Sequence, residues 1–268
     1  MASNQSGWKK VQILKLGGSV VTHKDSPHTP HMENIRRLAK EISQTNDRNL
    51  IILHGGGSYG HPLAKKFKIK EGYHEPVQLV GFSRTRQAMV ELNSIIVKAL
   101  LDEDVPAVSI SPSSTLITEN ERIKNNDFSV IIKFLEEEFI PVLYGDAVLD
   151  SQKRFTILSG DQLVVKLATD LKAKRIILGS DVDGVFNTDP KLDPNSKLLE
   201  RLSLSMLETI NLSQSQTTDV TGGMLGKILE MRPAIEQGID VTLVNANEPS
   251  RIYRTLIGEP VIGTVLTR

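Results

Sequence analysis

Leu50-Ile51-Ile52-Leu53-His54-Gly55-Gly56-Gly57-Ser58-Tyr59-Gly60-His61 is the stretch whose reading decides the fold. Its first four residues form a short apolar run that reads as a buried strand. Four glycines occupy the six positions after His54. They remove the Cβ atoms that would hold a charged ligand away from the backbone. They also permit φ > 0, so that consecutive N–H groups can turn toward one point. A similar element stands earlier, where an apolar run at 11–16 gives way to Gly17-Gly18-Ser19. Two strands that each end in a glycine-rich loop imply a site for several phosphates, with His61 placed to grip one of them.

Outward from this stretch, short runs rich in β-branched residues alternate with amphipathic segments. Strands are predicted at 12–16 and 49–54, with a helix over 30–44 between them. Thr29 suits its N-cap, Pro30 its first position, and Ile35, Leu38, Ala39 and Ile42 recur with helical spacing. A longer helix is predicted over 78–101, with Phe82, Met89, Leu92, Ile96 and Ala99 toward one side. Then come a strand at 107–110, a helix over 129–137 capped by Asp127, a strand at 139–144 and a hairpin through 148–149 and 155–158. A helix at 160–171, a strand at 175–178, a helix at 224–236 and strands at 240–244 and 261–267 complete the chain. This alternation indicates an α/β fold, a three-layer αβα sandwich around a mainly parallel open sheet, with the hairpin as an antiparallel extension. One unit over 11–268 is expected, with lobes at 11–171 and 172–268 and no linker between them. The segment at 187–197, rich in Asp, Pro and Asn, reads as a surface loop.

The 268 residues suffice for such a unit. Thirty-two basic side chains balance 32 acidic ones. Zero net charge argues against broad nucleic-acid binding, which needs a basic field, and leaves room for a locally positive pocket. The absence of cysteine excludes disulfides, thiolate metal sites and cysteine nucleophiles, and fits a reducing cytosol. The first ten residues are polar and unlike a signal peptide. No apolar run is long enough to span a bilayer. A soluble, cytoplasmic protein is expected.

Ligands of open α/β sheets gather beyond the carboxyl ends of the strands. Besides the two glycine loops, Ser159-Gly160-Asp161, the run from Ser180-Asp181-Val182-Asp183-Gly184 to Phe186, and Asp219-Val220-Thr221-Gly222-Gly223-Met224-Leu225-Gly226-Lys227 fall there. The last is not a P-loop, since Thr221 takes the first glycine position and Ile228 the hydroxyl position. Gly55-x-Gly57-x-x-Gly60 fits the dinucleotide pattern, but no strand ending in an acid follows at roughly 20 residues. Any one Gly-Gly pair reads best as a turn; three such runs at one sheet edge favour phosphate. Lys15 ends an apolar strand, where an ammonium is costly to bury without an anion. Lys24, on its residues alone, is a solvated charge. His54 reads as structural, Asp161 as an acid complementing a helix dipole, and Asp181 and Asp183 as turn formers. His23, His28 and His31 lack a matching carboxylate cluster, so no metal site is expected there.

Taken together, Lys15-Leu16-Gly17-Gly18-Ser19, the Asp181–Phe186 loop and Thr221-Gly222-Gly223-Met224 with Lys227 resemble the shared marks of the amino acid kinase superfamily. The resemblance spans nearly the whole chain. Within that superfamily, His54 to His61 is similar to the isopentenyl phosphate kinases, whose members end this run in a histidine that holds the substrate phosphate. Lys24 matches a lysine that the family places after the first loop; Tyr59 stands where phenylalanine is common. The resemblance implies transfer of a phosphoryl group from ATP, with Mg²⁺, to isopentenyl phosphate. Lys15 and Lys24 would lie against the transferring group, and Lys227 would reach the nucleotide phosphates. Gly17, Gly18, Ser19 and Gly57 would serve the ATP phosphates, and Asp181, Asp183 and Gly223 would border the nucleotide. Gly56, His61 and Gly160 would hold the acceptor phosphate, and Asp161 would organise the lysines. The first lobe would take the acceptor and the second the nucleotide, in a homodimer. The helix at 78–101, with Phe82 and Met89, is the expected wall for the alkyl tail.

Rival readings remain at this point. A kinase of another small phosphate or phosphonate, fosfomycin included, would also use a phosphate-gripping histidine. A non-catalytic nucleotide sensor would share the scaffold, although Lys15, Lys24 and Lys227 speak against it.

Overall fold

The two strands that open onto glycine lie side by side. β1 (Gln12–Leu16) and β2 (Leu50–His54) pair in parallel, with Lys15 opposite Leu53 and Leu16 opposite His54. Their loops therefore leave the sheet at the same edge. The structure, a computed structural model, describes residues 10–188, 195–206 and 222–268. Asp219, Val220 and Thr221, and the middle of the loop expected at 187–197, lie outside the described residues.

Around β1 and β2 the chain adds β3 (Ala107–Ser109), β6 (Ile140–Tyr144), β9 (Arg175–Ser180), β10 (Arg201–Ser203), β11 (Asp240–Asn245) and β12 (Gly263–Thr267). They form one sheet in the order β10-β12-β11-β9-β1-β2-β6-β3. It is parallel except that β12 runs against β11, and β10 pairs with β12 in parallel. Its central strands are buried on both faces, which is why they read as unbroken apolar runs rather than alternating ones. Ile13, Ile51, Leu53, Ile176 and Leu178 pack under α6 (Gly160–Asp170), α7 (Gly222–Glu230) and α8 (Arg232–Glu236). Leu14, Leu16, Leu50, Ile52 and Ile177 pack under α2 (Met32–Gln44), α4 (Val77–Leu101) and α9 (Arg251–Ile257). Lys15 shares the parity of Ile13, so it lies on the α6 side.

The extension is larger than the expected hairpin, and its two antiparallel hairpins join through a parallel pair. β7 (Asp146–Asp150) and β8 (Arg154–Leu158) join β4 (Leu116–Glu119) and β5 (Arg122–Asn126) in a four-stranded sheet ordered β5-β4-β7-β8. Asn120 and Glu121 turn between β4 and β5 with φ of 50° and 68°, the two consecutive positive values of a tight hairpin turn. Asp150 fastens both turns: it accepts from the Glu121, Gln152 and Lys153 N–H groups and from the Thr118 hydroxyl at 2.8–2.9 Å.

Two expected helix ends are corrected. Pro30 does not start α2; it bridges to Thr22, and His31 caps the helix with a side chain that accepts from the Asn34 N–H. The helix expected over 224–236 breaks at Met231, because Pro233 lacks the N–H that would continue it, and α8 begins anew. Four further elements had not been expected: α1 (Gly18–Val21), α3 (Gly57–Lys66), α9 and β10. Among the described residues no helix is long and apolar enough to cross a membrane.

Candidate functional site

Where β1 and β2 end, the two glycine loops interlock. A Cβ on Gly18 would collide with the backbone of Gly57, and one on Gly55 would stand 2.7 Å from the Gly18 nitrogen. Of the four glycines after His54 only Gly57 has positive φ, at 46°. Gly55, Gly56 and Gly60 serve close approach instead. Met89 Sδ lies 2.6 Å from where a Gly60 Cβ would stand and 3.2 Å from that of Gly56. Thr22 Oγ1 donates to the Gly18 carbonyl at 2.7 Å and accepts the Ser58 N–H at 2.9 Å. The helices that follow, α1 and α3, leave their first amides without intrahelical partners, beside a cavity of about 480 Å³.

Charged and apolar residues both line that cavity. The polar lining is Lys15, Lys24, His61, Asp146, Asp161 and Lys227, together with Gly18, Ser19, Gly56, Gly57 and Gly160. The apolar lining is Pro62, Ala64, Met89, Ile157 and Leu158. Lys15, only 7% exposed, places Nζ 2.6 Å from Asp161 Oδ1. Ser159 caps α6 by accepting the Gln162 N–H and so sets Asp161 in its first turn, where a carboxylate suits the dipole. Lys24 Nζ meets Asp181 Oδ2 at 2.6 Å across the β9 edge. Loss of hydration, then the charges of Lys15 and Lys227, lower the pKa of His61. Desolvation, then Lys15, lowers that of Lys227. An anion entering here would reverse both shifts, because it favours the protonated forms.

Gly17, Asp181 and Asp183 are not among the residues that line the cavity. Gly17 donates to the Gly179 carbonyl. Asp181 holds Lys24, and Asp183 pairs with Arg251 at 2.9 Å. Gly223 is the second residue of α7. Phe82 is corrected: it packs against Phe155, with ring centroids 5.5 Å apart, in a separate cluster under the second sheet. Thr85 and Met89 are the residues of α4 that reach the cavity. Ile157, Pro62 and Asp146 were missed. Ile157 alternates along β8 and was legible as a face; Pro62 and Asp146 carried no pattern.

Behind the second loop His54 is fully buried. Asn93 Nδ2 donates to its Nε2 at 3.2 Å, and Nδ1–H faces the Gly55 carbonyl at 3.1 Å. Burial pushes its pKa down to about 4, so it is a neutral spacer. Asp146 is buried too, and burial lifts its carboxyl to about 6.

The amino acid kinase family model matches residues 10–245. The isopentenyl phosphate kinase of Methanothermobacter thermautotrophicus is 43% identical, with 95% of this chain and 98% of that protein aligned. That of Methanocaldococcus jannaschii is 38% identical over 92% and 95%. A crystal structure of an isopentenyl phosphate kinase superposes with a TM-score of 0.85 at 39% identity, covering 96% of this chain and all of the other. This chain therefore belongs to the amino acid kinase family and, within it, to the isopentenyl phosphate kinases.

Proposed function

We propose that the protein transfers the γ-phosphoryl group of ATP to a phosphate oxygen of isopentenyl phosphate, giving ADP and isopentenyl diphosphate. The observation that carries this is the mixed lining of one cavity: three lysines, a histidine and glycine amides together with Pro62, Ala64, Met89, Ile157 and Leu158. An alkyl monophosphate needs both kinds of surface.

The acceptor oxygen is already ionised near neutral pH, so the reaction needs alignment and charge neutralisation rather than a strong base. His61 and the amides of Gly56 and Gly160 hold the acceptor phosphate, and Met89 and Ile157 wall its tail. Lys15 and Lys24 neutralise the group in transit, each released to it from a carboxylate partner. Gly18, Ser19, Gly57 and Lys227 face the nucleotide phosphates. Asp161 keeps the Lys15 ammonium aimed into the cavity. The lobe at 172–268 takes the nucleotide and that at 11–171 the acceptor.

The described residues hold no cluster of three or more His, Asp or Glu that could cage a metal ion. Asp161 and Asp181, each already paired with a lysine, fit a Mg²⁺ ion carried mainly by phosphate oxygens and water. When bound, it neutralises charge on the β- and γ-phosphates. We further assign the protein to the cytoplasm as a homodimer, the first on its cysteine-free composition and the second on family resemblance alone.

The test is ADP release with isopentenyl phosphate beside fosfomycin, glutamate, carbamate and UMP. Turnover confined to isopentenyl phosphate is expected. Turnover of fosfomycin instead, or ATP binding without turnover of any acceptor, overturns the reading.

A further inference from the structure

We propose that Thr22 is a positioning residue for phosphoryl transfer: its buried hydroxyl clamps the two glycine loops together, and its backbone roots the loop that carries Lys24. Thr22 is 1% exposed and does not line the cavity, so it acts through what it holds. One oxygen gives its proton to the Gly18 carbonyl and a lone pair to the Ser58 N–H. The Thr22 N–H also bonds the Gly18 carbonyl, at 2.9 Å. Gly18 belongs to the loop on the nucleotide side and Ser58 to the loop on the acceptor side.

The Lys24 segment starts from the same residue. His23 donates to the Thr29 carbonyl at 3.0 Å, Pro30 bridges back to Thr22, and His28 donates to the Ser58 carbonyl at 3.2 Å. The stem of the Lys24 loop is thus closed on Thr22, and its tip is fastened to α3. Two loops thus take their register from one hydroxyl, and the Lys24 loop hangs from the backbone of the same residue. Without it the Ser58 N–H, an orphan of the first turn of α3, is left buried and unpaired. The glycines on either side have no side chains with which to hold register.

The inference rests on the reaction proposed above, and the experiment separates the two. Thr22→Ser and Thr22→Ala both lose the γ-methyl and differ only in the hydroxyl. Thr22→Val keeps the shape and stands in if the alanine variant does not fold. Steady-state kinetics with ATP and isopentenyl phosphate should leave Thr22→Ser within ~3-fold of wild type. Thr22→Ala should lose ~30-fold in kcat with smaller changes in either KM, because alignment rather than binding is disturbed. In a Lys24→Ala background, Thr22→Ala should still lower kcat, by less than its full ~30-fold, since the clamp on Gly18 and Ser58 acts apart from Lys24. Equal impairment of the serine and alanine variants, or no further loss on top of Lys24→Ala, overturns the clamping role. A wild-type protein inactive on isopentenyl phosphate overturns the reaction, and this inference with it.

Discussion

His61 carries the sharpest prediction at the scale of single residues. Its ring sits on α3, where loss of hydration and then the charges of Lys15 and Lys227 disfavour its protonated form. His61→Ala should lower kcat/KM for isopentenyl phosphate by ~10²-fold, as loss of one aimed donor does elsewhere, and leave the KM for ATP within ~3-fold. His61→Gln should recover part of the loss, since an amide donates without charge. Initial-rate kinetics with each substrate varied decides it; an unchanged acceptor KM and kcat removes His61 from the site. His61 was legible because it closes a glycine run. Lys15 was legible because an ammonium ends a strand of buried residues. The Lys15–Asp161 pair was expected only through resemblance, for nothing local ties residues 146 positions apart. Thr22 gave no signal at all. A threonine after two valines looks like any other, and its role exists only once residue 58 is folded against it.

Elements were legible in proportion to their independence. The central strands are buried whatever their neighbours do, so their composition announced them. Helix α4 showed its apolar side in sequence, yet Phe82 went to the cluster under the second sheet and Met89 to the cavity. Helix α3 was missed because glycine and proline disfavour helix locally; packing of its glycines on Met89 outweighs that preference. The β4–β5 hairpin was missed for a similar reason. Polar, charged strands hid it, and the carboxylate that shapes its turn lies in another strand. Asp150, 3% exposed, accepts from Thr118 in β4, Glu121 in the first turn, and Gln152 and Lys153 in the second. Asp150→Ala should therefore destabilise the protein by about 2–4 kcal/mol, because the buried Thr118 hydroxyl and three part-buried N–H groups lose their acceptor at once. Urea unfolding followed by circular dichroism measures it. A midpoint equal to wild type would mean that water replaces the carboxylate.

On the scale of the whole molecule, two buried groups oppose each other as pH changes. His54 drops from its ordinary 6.5 to about 4. As pH falls through that window, the unfolded chain takes up a proton that the folded chain refuses, and stability is lost. Asp146 rises from 3.8 to about 6. As pH rises through that window, the unfolded chain sheds a proton that the folded chain keeps, and stability is again lost. Between about pH 4 and 6 the two contributions cancel. Asp146→Asn removes one of them. The unfolding free energy of the variant minus that of wild type should then climb by about 3 kcal/mol from the acid to the neutral end of the window. Denaturant titrations at several pH values test this, and a difference that stays flat refutes the opposition.

The close passage of Gly18 against Gly55 and Gly57 has a consequence for inheritance. Neither segment can acquire even a methyl group while the other keeps its course, so drift in one is vetoed by its neighbour. A chimera that borrowed either segment alone from a distant kinase would jam. Anyone transplanting this catalytic edge into a new scaffold must move both as one cassette, with the threonine that laces them.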